Sequence, residues 1–514
     1  MCRTWQLSCC WRHMGRKPCP SQAVSGCRSA WSVQTAPWRC PMTDDLTYLS
    51  ATEALARFRD RSLSPVELLD AVIARGEAVA ESVHPFGDLY HKEARERGRA
   101  AEAAYGAGEA GPLEGLPLVV KDTSAITGQR YTTGSMIYKD RVAEETDPEI
   151  ERLLDAGANL FARTTTPEFG WLFTTQSRIW GITHNPWRHG ISPGGSSGGS
   201  ASALAAGATT IATGGDSAGS IRQPAGQCGV VGYQAPFGRI PQLGASSYLY
   251  YLHHGPLTRT VADAALMANV MSGPDPRDHN SLQDRVVIPD SLEGIDGLKI
   301  GFSIDMGYYE MDADVVRETH LALEALRDAG AQVDEIPVDW AGEAIRLGHG
   351  GQEFLALTFL ETCLAEHGDI VSDYFPQLVE TARSYDGDVF RRSLDVAGEV
   401  WRDHFGPMFS RYDAFIMPTV SCPETPADGW QKDTITVNGK QVTDTDCAMT
   451  ILWNMYGNSP VLAVPSGITN RGLPTGIQIV GRPYDDVTVF RVGAALEQRR
   501  PWLDAPERRP DLGL

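Results

Sequence analysis

Two glycine–serine clusters, Gly194-Gly-Ser-Ser-Gly-Gly-Ser200 and Gly214-Gly-Asp-Ser-Ala-Gly-Ser220, lie within the stretch Ser192–Gly226, and the rest of the chain is read outward from them. A flexible linker is the bland reading of such clusters. Two features oppose it. A small-residue, helix-like segment and a short β-branched run separate the clusters, and linkers do not usually alternate with packing segments. A lone acid, Asp216, and a lone base, Arg222, also bracket Ser220. Glycine lets backbone N–H groups converge on a small volume, which is how an oxyanion hole beside a nucleophile is built.

The chain has 514 residues, enough for a large buried core. Its hydrophobic content of 42% and aromatic content of 8% are globular values. A net charge of −20 opposes nucleic-acid binding, which needs clustered Lys and Arg. No apolar run approaches the ~20 residues of a membrane span. Six of the ten cysteines fall in residues 1–41, and Cys228, Cys363, Cys422 and Cys447 are scattered through the rest. That is the pattern of a reduced, cytoplasmic body without a disulfide framework. Residues 1–41 hold no acid, six basic residues and four tryptophans. They read as a disordered or non-native extension ahead of a start at Met42, with an organelle transit segment as the other reading. Residues 42–514 are expected to form the functional domain.

Along that domain, Ser50, Thr52 and Glu53 cap a helix at Ala54–Arg59, and Ser64-Pro65-Val66-Glu67 opens a second to about Val79. Residues 92–107 are helical in composition. Gly115-Leu-Pro-Leu-Val-Val-Lys121 is a short apolar run bounded by Gly and Pro, a buried-strand pattern. Thr146-Asp147-Pro148-Glu149 starts another helix, and Asn159–Arg163 reads as a strand. Cys228–Tyr233 is strand-like, and Cys228 reads as inert because no histidine is placed to activate it. Thr260 is a natural N-cap with Asp263 at N3. His253 and His254 lack partners at metal-site spacing and read as structural. A βα pattern resumes at Leu298–Phe302, 312–329 and Gln332–Ile336; residues 341–410 are helical. Ala414–Pro418, Val461–Pro465 and Thr475–Gly481 are short buried strands. Alternation without linkers indicates one large α/β domain.

These motifs carry a resemblance. Gly194–Ser200 followed by Gly215-Asp-Ser-Ala-Gly-Ser-Ile-Arg222 resembles the core signature of the amidase signature hydrolases, of the stand-alone amidase type. The likeness runs from about Thr47 to Pro510 and includes Gly472-Leu-Pro-Thr-Gly-Ile-Gln-Ile-Val-Gly-Arg482. The family uses a Ser–Ser–Lys triad, its two serines twenty-four positions apart, which is the spacing of Ser196 and Ser220. Lys121 fits the place of its lysine, although a lysine at a strand end is otherwise a solvated terminator. The resemblance implies a mixed sheet with helices on both faces and a cis peptide at Gly195–Ser196. It implies an oxyanion hole from the N–H groups of Ser217, Ala218 and Gly219 with that of Ser220; the family more often has glycine where Ala218 stands. Gly170 and Trp171 are the expected substrate contacts, with Trp171 as ordinary core the competing reading. Ser197 is expected to donate a hydrogen bond within the core, and Asp216 and Arg222 to form an ion pair that holds the loop. No metal or cofactor site appears.

The chemistry implied is amide hydrolysis, in which Ser220 attacks and its proton passes through Ser196 to Lys121. Lys121 must then be neutral, and bringing a lysine from about 10.4 to about 7 costs roughly 4–5 kcal/mol, which burial supplies. The alternative is the glutamine-hydrolysing member of a tRNA-dependent amidotransferase complex. Ser220-Ile-Arg-Gln-Pro and the length suit it; Thr165-Thr-Pro-Glu-Phe-Gly170 and Arg500-Pro-Trp-Leu resemble stand-alone members instead. A catalytically dead scaffold is opposed by the intact Lys121, Ser196 and Ser220. The expected partner is a small-molecule amide, with no nucleic acid and no membrane; a homodimer stays open. Tyr248, Tyr250, Tyr251, Trp171 and Phe173 point to an apolar or aromatic acyl site, and the acyl group itself is not fixed by the sequence.

Overall fold

The computed structural model describes residues 45–429 and 435–514. The extension read at residues 1–41 lies outside them. The short apolar runs become strands of one eleven-stranded sheet. In chain order they are β1 (Phe86–Leu89), β2 (Pro117–Lys121), β3 (Asn159–Thr164), β4 (Ile211–Asp216), β5 (Val231–Gln234), β6 (His253–Thr258), β7 (Lys299–Phe302), β8 (Gln332–Glu335), β9 (Ala414–Pro418), β10 (Val461–Ile468) and β11 (Pro474–Gly481). Their order across the sheet is β1-β3-β2-β4-β6-β5-β10-β11-β9-β7-β8. The sheet is mixed: β2 runs parallel to β3 and β4, while β6 is antiparallel to β4 and β5.

Helices cover both faces. They include α1 (Ala51–Arg59), α2 (Pro65–Ala78), α3 (His91–Ala107), α4 (Pro148–Asp155), α5 (Gly198–Ala205), α6 (Arg222–Cys228), α7 (Val261–Met271), α8 (Ala313–Asp328) and α9 (Ala341–His367). Ser64 caps α2 by accepting from the N–H groups of Val66 and Glu67, with Pro65 at N1 as its sequence demands. Ser50 caps α1, so that helix begins three residues earlier than the sequence indicates. Asp263 sits at N3 of α7 as the sequence indicates, its N–H donating to the Thr260 cap at 3.1 Å. Its buried carboxylate accepts from Ala51 and Thr52 N–H, both at 2.9 Å, and so ties α7 to the start of α1.

Three elements differ from the sequence reading. Cys228 ends α6 rather than opening a strand; Gly229, at φ 72°, turns the chain, and β5 starts at Val231. The two histidines stand inside β6, a strand hidden by its Gly255-Pro256 pair, which resembles a turn. β1 has only one apolar residue at each end of Phe-Gly-Asp-Leu, too little pattern to read.

Candidate active site

Lys121 ends β2 and Asp216 ends its parallel neighbour β4. Ligand sites of α/β sheets form outside such carboxyl ends. Lys121 is only 2% exposed. Its Nζ donates to Ser196 Oγ at 2.8 Å and to the Gly215 carbonyl at 3.4 Å. Burial disfavours the ammonium and Asp216 only partly offsets this, so the Lys121 pKa falls to about 7.

Ser196 precedes α5 and follows a cis peptide from Gly195. The glycines behind it let α5 seat directly on the loop after β3, since a Cβ at Gly199 would lie 2.5 Å from Thr165 Oγ1. Ser220 lies on the turn between β4 and α6. Its carbonyl accepts from Ser197 N–H at 3.1 Å, which joins the turn carrying one serine to the turn carrying the other. Ser197 Oγ donates to the Gly215 carbonyl at 3.3 Å.

Asp216 and Arg222 are wholly buried and meet twice, Nε to Oδ2 and Nη2 to Oδ1, each at 2.9 Å. Asp216 Oδ1 also accepts from Gly219 N–H at 2.7 Å, and Oδ2 from Ile221 N–H at 3.1 Å. Burial works against this carboxylate, but Arg222 and the other donors outweigh it and hold its pKa far below the usual range. The oxyanion hole read from the sequence is corrected by these bonds. The Gly219 N–H, expected to face an oxyanion, is already given to Asp216. The amides available to that reading are those of Ser217, Ala218 and Ser220.

Residues the sequence did not single out complete the support. Thr450 Oγ1 donates to the Ala218 carbonyl at 2.7 Å. Asn454 Nδ2 donates to Asp216 Oδ1 at 2.9 Å, and its Oδ1 accepts from Arg222 Nη2 at 2.6 Å. Gln478 Oε1 accepts from Arg222 Nη1 at 2.7 Å. The available signal was the Gly472–Arg482 motif, whose Gln478 the fold brings onto the ion pair.

Gly170 lies beside Ser196, where a Cβ would stand 3.2 Å from its Oγ. Trp171 packs partly into a cluster with Leu172 and Phe375, and its indole N–H reaches both carboxylate oxygens of Glu353 on α9 at 3.2 Å. Phe173 packs with Ala218 and Ile451 beside the Ser220 turn. The tyrosines divide. Tyr251 gives its carbonyl to Asn454, whereas Tyr248 is exposed and stacks on His279, and Tyr250 packs on Phe237. The Cys228 thiol is pushed up by burial and donates to the Pro193 carbonyl at 3.4 Å. Among the described residues no group of His, Cys, Asp and Glu is arranged to hold a metal, and no helix is long and apolar enough to cross a membrane.

This is the architecture of an amide hydrolase, and comparison with known proteins agrees. A family model described as Amidase matches residues 67–490. The chain belongs to that family, the amidase signature enzymes, and is an amide hydrolase. It is 34% identical over 469 residues to an acylamidase of Rhodococcus erythropolis, covering 90% of this chain and 97% of the relative. It is 31% identical over 489 residues to the A subunit of the glutamyl-tRNA(Gln) amidotransferase of Geobacter metallireducens, covering 89% and 98%. A crystal structure of a bacterial aryl acylamidase of the amidase signature family superimposes with a TM-score of 0.81 at 27% identity, covering 89% of this chain and 98% of that one.

Proposed function

We propose that the protein is a stand-alone amidase that releases ammonia or an amine from a carboxylic amide through an acyl-enzyme on Ser220. The observation that carries this reading is the buried 2.8 Å contact from Lys121 Nζ to Ser196 Oγ, with the lysine near neutrality at pH 7.

An amide is a poor electrophile with a poor leaving group, so its cleavage needs an activated nucleophile, a proton for nitrogen and a site for the oxyanion. Ser220 Oγ attacks the carbonyl carbon. Its proton moves to Ser196 Oγ as Ser196 gives its own to neutral Lys121. The amides of Ser217, Ala218 and Ser220 receive the oxyanion. The C–N bond breaks as Lys121 returns the proton through Ser196 to the departing nitrogen. Water then attacks the ester along the same relay and frees Ser220. Asp216 and Arg222 hold the loop; Gly170 and Trp171 flank the substrate carbonyl.

The stand-alone reading is favoured over the glutamine-hydrolysing part of an amidotransferase by Thr165–Gly170, by Arg500-Pro-Trp-Leu and by the higher identity to the acylamidase, 34% against 31%. Four buried free cysteines in the described residues support a reducing, cytoplasmic setting. The catalytic groups all come from one chain, so a homodimer would add stability rather than chemistry.

Amine release from a panel of aryl amides, alkyl amides and glutamine tests the reading. Turnover of an aryl or alkyl amide by the protein alone, abolished in Ser220→Ala, supports it. Activity on glutamine alone, and only with the other chains of an amidotransferase present, transfers the assignment to that complex.

A further inference from the structure

A buried acid, Glu149, and a mostly covered base, His254, lie behind Lys121 and take no part in the chemistry above. His254 stands on β6 opposite Gly215 of β4. Its Nδ1 lies 2.8 Å from Glu149 Oε1, in the first turn of α4. A carboxylate only accepts, so Nδ1 carries the proton and donates. The opposite edge of the ring lies against Gly215, where a Cβ would meet His254 Cδ2 at 3.6 Å and Nε2 at 3.8 Å. Gly215 is the residue whose carbonyl receives Lys121 Nζ at 3.4 Å. Glu149 is 1% exposed and its Oε2 has no hydrogen-bond partner, so His254 is the group that answers its charge.

We propose that His254, clamped by Glu149, is a positioning residue for the base: it packs on the Gly215 segment that orients Lys121, and its protonated ring drives the proton off Lys121. The proposal rests on Lys121 being the base. Burial opposes charge on the ring, but Glu149 outweighs it and holds His254 above its ordinary range. Lys121 pushes the other way on His254. Two cations in one buried region exclude each other, so a proton on His254 disfavours one on Lys121. The remaining groups around the pair are Asp147, at the N-cap position of α4 and raised by burial and Glu149; Arg152, whose charge faces Glu149; Asp216, which favours charged Lys121; and His253, lowered by burial to about 4.

The test is the pH profile of kcat/KM for His254→Asn, whose side-chain N–H occupies the Nδ1 position and keeps the bond to Glu149 without the cation. The loss at pH 6 should exceed the loss at pH 9 by about three- to tenfold, an acid limb moved up by about half to one unit. Glu149→Gln releases the ring's proton and should shift the limb in the same sense by less; it decides the matter if His254→Asn does not fold. Equal losses at both pH values, or an unmoved limb, in the folded variants would overturn the proposal. A parent profile with no acid limb near pH 7 would instead overturn the assignment of Lys121 as base.

Discussion

Lys121 is charged in the unfolded chain up to about its ordinary 10.5 but loses its proton near 7 when folded. The unfolded state therefore holds more protons between those values, and stability rises with pH across that window. Below pH 7 the full cost of burying the ammonium is present, on the order of 5 kcal/mol. Lys121→Met should accordingly be more stable than the parent at pH 6 by roughly a few kcal/mol and lose that advantage as pH approaches 10. Urea unfolding at both pH values checks this. The same variant should retain no more than about one part in 10⁴ of kcat/KM. That Lys121 and Ser196 meet was legible from motif and resemblance. The commitment of the Gly219 N–H was not, because a φ of 123° and an Asp216 carboxylate three residues back decide it, and sequence shows neither.

At the scale of elements, the turn between β4 and α6 is fixed from inside by Asp216 and from outside by Thr450. A Cβ at Gly219 would lie 1.7 Å from Thr450 Oγ1, on a backbone conformation L side chains rarely adopt. Gly219→Ala should therefore abolish activity, whereas Thr450→Ser, which keeps the bond to the Ala218 carbonyl, should cost less than about 1.5 kcal/mol of stability. Arg222→Met would leave Asp216 buried without its cation and should destabilise by about 3–5 kcal/mol, read from a denaturation midpoint. Strands with an unbroken apolar run, such as β2 and β3, were legible. β6 was not, because its histidines and Gly255-Pro256 are held in the sheet by tertiary contacts rather than by local preference.

Across the whole molecule, the chain closes on itself through buried polar ties that periodicity does not reveal. Asp263 reaches back more than two hundred residues to α1. Asp263→Ala would strand the buried Ala51 N–H and remove the acceptor of Thr52 N–H; it should cost about 2–4 kcal/mol, measured by denaturant unfolding, with kcat near the parental value in the fraction that remains folded. The fold class followed from alternating strands and helices, while the convergence of Asn454 and Gln478 on Arg222 required the sheet order that places β11 and the Asn454 segment beside the signature loop. The central claim is that Ser220 forms the acyl-enzyme. Rapid acid quench during turnover of an aryl amide, followed by peptide mass mapping, tests it most directly. The acyl mass is expected on the peptide carrying Ser220 and absent from Ser220→Ala; an adduct on any other residue, or undiminished turnover by Ser220→Ala, would contradict an acyl-enzyme on Ser220.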